Sequence, residues 1–154
     1  MSEPSKIIDA LDVILKADAT LSALVASKNY HKYNDEMELV NVTKLFPFVN
    51  VDIEVRTVGK AGNQRTYDYE RRTYPIIIKF AVREKTKAVA KTSIWTLAEA
   101  VEGAYQTDKT IGGTVTDIPM RADIATDCLR HKDNNRWIGR GFMTFEVYKD
   151  ECLR

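Results

Sequence analysis

The residues able to do chemistry are few, and their spacing does not favour it. His31 and His131 are the only imidazoles in 154 residues, so a Ser or Cys nucleophile would have to meet one of them together with a carboxylate. Both lie in stretches that read as loops. Cys128 and His131 stand three residues apart, a spacing a metal can use, but zinc takes four ligands and no second Cys or His pair supplies the rest. Asp52, Glu54, Asp68 and Glu70 could furnish paired carboxylates for acid–base work, yet alternation puts Asp52 and Glu54 on the solvent side of a strand. Gly112-Gly113 follows a helix and precedes a strand, the reverse of a phosphate-cradling loop, and reads as a helix stop. No catalytic, cofactor-binding or metal-ligating residue is assigned, and no cofactor is expected. A pocket around His31, Asp52 and His131 is the one route left to an enzyme or ligand-binding module.

Binding chemistry is concentrated in one place. Across 56–72, Arg56, Lys60, Arg65, Arg71 and Arg72 outnumber Asp68 and Glu70, while the whole chain balances 23 bases against 22 acids for a net charge of +1. Bulk charge therefore gives no attraction to nucleic acid or an acidic membrane, and any such contact must be local. Tyr67, Tyr69 and Tyr74 interleave with these bases and could stack single-stranded bases, or simply continue a strand into a solvated hairpin tip. No apolar run approaches the roughly 18 to 20 residues a bilayer span needs, and the first residues lack a secretory pattern, so synthesis in the cytoplasm is expected. Cys128 and Cys152 are too few for a disulfide scaffold and read as free thiols.

The elements that hold these residues are legible from periodicity. Tyr74, Ile76, Ile78, Phe80 and Val82 alternate as one face of a strand. Ala90, Ile94, Leu97, Ala98, Val101, Ala104 and Tyr105 then recur at helical steps over 87–106, with Trp95 off that stripe. Alternation resumes with Val115, Ile118, Met120, Ala122 and Ile124, read as a strand with a bulge near Asp117. Upstream, Ser5 is the expected N-cap of a helix carrying Ile7, Ile8, Leu11, Ile14 and Leu15; residues 18–20 restart a short helix with Leu21, Leu24 and Val25. Residues 27–44 read as a long connection, 46–56 as a strand entered at Pro47, and 57–73 as a charged hairpin loop. Residues 131–136 form a turn before a last strand, 137–148, whose Met143, Phe145 and Val147 share one face while Phe142 and Tyr148 lie on the other; a central position or a subunit contact would explain both. The expectation is one α+β domain over 1–154: a mostly antiparallel sheet of about four strands, a long helix and an N-terminal helix on one face, and a long charged β-hairpin loop.

This order resembles the tail terminator, or tail completion, proteins of long-tailed bacteriophages. The resemblance is carried by IIDALDVILKADATLSALV, FPFVNVDIEV, YPIIIKFAVRE, IWTLAEAVEGAY, TIGGTVTDI and GRGFMTFEVY, and spans nearly the whole chain. It implies a structural, non-catalytic subunit of a ring, usually a hexamer, that docks on the tail tube end, stops its growth and offers a surface for head joining. The implied partners are the chain's own copies, the tail tube protein and a neck or head-completion protein, with DNA only passing through; the implied location is the head-proximal end of the tail in the virion, reached from the host cytoplasm. In such a ring, Arg56, Lys60, Arg65, Arg71 and Arg72 are expected on a tube-facing or lumenal loop, and Trp95, Phe142 and Tyr148 near subunit contacts. Bases lining the lumen should be few or paired, since tight phosphate contacts would hinder DNA. The other readings are a head-completion or adaptor protein, the small enzyme or ligand module, and a nucleic-acid-binding domain using the basic hairpin.

Overall fold

A computed structural model describes residues 3–33, 46–53, 64–65, 69–118, 122–130 and 135–152. The frame is a pair of long antiparallel strands, β4 (Tyr69–Glu84) and β6 (Trp137–Cys152), joined in register from Tyr69↔Cys152 to Glu84↔Trp137. β2 (Phe48–Ile53) pairs antiparallel with β4, and β5 (Asp123–Arg130) pairs antiparallel with β6. A three-residue strand, β1 (Tyr30–Lys32), adds in parallel to β2, and two residues, β3 (Gln64–Arg65), pair with Glu70 and Arg71 at the start of β4. The strand order is β1-β2-β4-β6-β5, an α+β architecture whose ladders are antiparallel except at β1.

Both long helices lie on one face. α1 (Glu3–Ala17) buries Ile7, Ile8, Leu11 and Leu15 completely, and α3 (Lys87–Tyr105) buries all seven residues of its predicted stripe. They close over Val49 and Val51 of β2, Tyr74 to Val82 at alternate positions of β4, and Met143, Phe145 and Val147 of β6. Tyr105 stacks on Phe145 with ring centroids 4.5 Å apart and planes 9° off parallel, which locks the end of α3 to the sheet. Close approach elsewhere depends on missing side chains in β6. A Cβ on Gly141 would strike the Phe80 ring, and one on Gly139 would lie 2.9 Å from the Ala90 carbonyl oxygen.

Three smaller expectations need correcting. α1 begins at Glu3, so Ser5 lies in its first turn rather than capping it; amides there have no intrahelical partner, which is also why Pro4 is tolerated. The short helix α2 (Ala19–Leu24) does restart at the expected place, capped by Asp18, whose carboxylate accepts from Leu21 N–H at 2.8 Å. The connection after it contains a 3₁₀ turn (Ser27–Asn29) and β1, because the Asn29 amide donates to the Pro47 carbonyl at 3.0 Å and holds this backbone beside β2. The stretch expected as a hairpin loop contains strand: β3 pairs with β4, which begins at Tyr69 instead of Tyr74.

The largest departure is at 115–124. Ile111, Val115 and Ile118 are buried, but they anchor a turn-rich segment rather than a strand. Ile111, Gly112 and Gly113 all take positive φ, and the Asp108 carboxylate accepts from the backbone of Thr110 and Gly112 at 2.9 Å each. Those bonds hold the Asp108 carboxyl below its ordinary pKa. Asp117 makes only an isolated bridge to Tyr148, and the strand itself is β5, eight residues further on than its expected start.

Candidate interaction surface

The second face of the sheet carries no described helix. Near β2 it is closed by its own small cluster, in which Phe46 packs against Phe48, Ala81 and Ile138; the Phe46 and Phe48 rings are 5.4 Å apart and the Arg83 guanidinium sits 5.7 Å over Phe46. Over β4, β6 and β5 it opens. Ile77, Lys79, Ala125, Phe142 and Thr144 line a shallow, mostly apolar hollow of about 410 Å³ with Asp123 at its rim. A second hollow of about 110 Å³ adjoins it between Phe48, Ala81, Arg140 and the other side of Phe142. Pairing explains the arrangement: Lys79, Phe142 and Ala125 stand side by side on three adjacent strands, while Asp123 pairs with Thr144. The Arg140–Asp127 ion pair, at 2.6 Å, borders the hollow along β5.

The three residues expected at subunit contacts do not share a surface. Phe142 is 37% exposed on the open face. Trp95 is 54% exposed on α3, in the other layer. A groove between α2 and α3 is lined by Leu24, Pro47, Ser93, Thr96 and Leu97, so helical geometry directs Trp95 to the opposite flank of α3. Tyr148 is only half-buried and is tied down, its hydroxyl 3.4 Å from the Asp117 carboxylate and its backbone bridged to Asp117. β6 therefore has the central position that its two-sided apolar character suggested, between β4 and β5.

Of the basic cluster, Arg56 and Lys60 lie outside the described residues. Arg65 is placed on β3, and Arg71 and Arg72 on β4 opposite Asp150 and Lys149. The structure thus places three of the five bases on the paired β3 and the start of β4.

Of the pocket expected around His31, Asp52 and His131, the structure describes the first two residues. His131 is outside the described residues, and Asp52 uses a carboxylate oxygen on the Ile53 N–H at 2.7 Å. His31 sits on edge strand β1, and burial holds its imidazole pKa below the ordinary 6.5, helped by Lys16 and opposed by Asp12. Its Nε2, the Tyr30 hydroxyl and the Asn29 side-chain oxygen are buried without a partner among the described residues. Tyr30 is pushed up, first by burial and then by Asp18 and Asp12. Cys128 is a free thiol on β5, and no group of three His, Cys, Asp or Glu able to hold a metal occurs among the described residues. No described helix is long and apolar enough to cross a membrane.

Sequence reasoning missed the open hollow itself. Asp123 lay in the misplaced strand, and Ile77 and Lys79 alternate with the apolar row of β4 on its opposite face.

No family model and no curated protein sequence matches the chain. Among solved structures, its fold is similar to that of a chain in the "Virion of native gene transfer agent (GTA) particle", with a TM-score of 0.51 over 93% of each chain at 15% identity. At that identity the likeness is one of fold, and it runs almost from end to end of both chains.

Proposed function

We propose that this chain is a structural virion protein of the tail-terminator kind, a non-catalytic subunit that closes into a hexameric ring on the end of a tail tube. In this reading the ring ends tube polymerisation, receives a neck or head-completion protein on its outer side and lets DNA pass. The observation that supports it most is the near full-length fold shared with a chain of a virion particle. The distribution of exposed apolar groups is consistent with it. A closed ring is built from heterologous contacts, which need two different surfaces on every subunit, and Trp95 and Phe142 stand on two different layers. Covering an indole as exposed as Trp95 would remove on the order of 100 Å² of apolar area, about 2–3 kcal/mol per contact.

The basic arm is the proposed tube-facing or lumenal element. Arg65 is on β3 and Arg71 and Arg72 are near the start of β4, and Arg56 and Lys60 belong to the same stretch of sequence. If all of these bases faced DNA unpaired they would slow its passage, so the proposal places them against protein. A pull-down with purified tube ends and with portal separates the proposed terminator from a neck adaptor: retention on tube ends alone supports the terminator, and retention on portal alone makes the chain an adaptor.

A further inference from the structure

We infer that the open hollow around Phe142 receives Trp95 from a second copy of this chain, with α3 of the neighbour lying diagonally across β4, β6 and β5. This rests on the ring proposed above and names the contact that would build it. Lys91, Trp95 and Glu99 form one i, i+4 ridge of α3, and all three are exposed. At about 1.5 Å per residue the two charges lie about 12 Å apart with the indole midway.

The hollow presents the matching order. Lys79 and Asp123 line it from the β4 and β5 sides, two strands apart and two residues out of register, which is also about 12 Å at ordinary strand spacings. Midway between them is β6 at Phe142 and Thr144, the floor on which an indole would rest. A ridge laid over that diagonal puts Glu99 beside Lys79, Lys91 beside Asp123 and Trp95 on Phe142. Reversing the helix brings Glu99 onto Asp123, like against like, so the surface selects one direction and the contact repeats head to tail. The floor and the ridge lie on opposite layers of the subunit, so one copy cannot satisfy its own hollow.

The test is sedimentation of the full chain, alone and with tube protein, for the wild type and for Trp95→Ala, Lys91→Glu, Asp123→Lys and the double variant Lys91→Glu/Asp123→Lys. All three positions are exposed, and circular dichroism and melting check that each variant folds. Trp95→Ala and each single reversal should weaken association at least about tenfold, and the double reversal should recover most of that loss. A wild type that assembles while all four variants match it would overturn this contact and leave the ring standing. A wild type that stays monomeric with and without tubes would overturn the ring and this contact together.

Discussion

Single residues set how closely the two long strands and α3 can approach. Gly141 has Phe80 Cζ at 2.6 Å from where a Cβ would be, and Phe80 is only 1% exposed, so the ring has nowhere to retreat. Gly141→Ala is expected to cost about 1–3 kcal/mol, read as a lower denaturant midpoint with an unchanged slope. Gly103 is the converse: it lies in α3 with nothing within 4 Å of an added Cβ, so Gly103→Ala should stabilise by about 0.5–1 kcal/mol in the same assay. His31 provides a pH signature. Its folded-state pKa lies below 6.5, so the unfolded chain binds the extra proton first, and the stability His31 contributes is present above pH 6.5 and lost as pH falls through the folded value. The melting temperature should therefore decline from pH 6.5 downward, and His31→Gln should flatten that decline; an identical slope in the variant would assign it to other groups.

At the scale of elements, what the sequence reveals depends on how much of an element one face buries. The α3 stripe and the alternation of β2 and β4 were readable because each buries one apolar row against the helices. β1 was not, since three residues give no period and its place is fixed by the Asn29 bond to Pro47, a contact eighteen residues away. β5 was displaced for a related reason. As an edge strand with Asp123, Ala125 and Asp127 on the open face, it has no continuous apolar row, whereas Ile111, Val115 and Ile118 bury themselves from turns and mimic one. Those turns depend on left-handed backbone. Gly113 has φ +79° and open space around it, so Gly113→Ala meets no clash yet should lose about 1–2 kcal/mol through the backbone alone, measurable by chemical unfolding. The same reasoning explains the surface: Trp95 and Phe142 were visible as residues off their apolar stripes, but the hollow around Phe142 needed the strand register.

For the whole molecule, an α+β sheet with helices on one side leaves a second side that must be solvated or covered. Here its β2 end is closed by Phe46, and its β4–β6–β5 end keeps an apolar floor rimmed by charge. In the proposed ring, that floor and the separate exposed indole are the two surfaces through which copies of the chain meet. Association built on a buried aromatic contact flanked by charge pairs should survive moderate salt, while a complex held by the basic arm alone should dissolve steeply as salt rises; titrating salt against sedimentation separates the two. The most direct measurement is light scattering of the purified chain, first alone across concentration and then with polymerising tube protein. The account predicts a closed oligomer, or a monomer that becomes a ring on tube ends and halts their growth. A chain that stays monomeric and leaves tube growth untouched would contradict it.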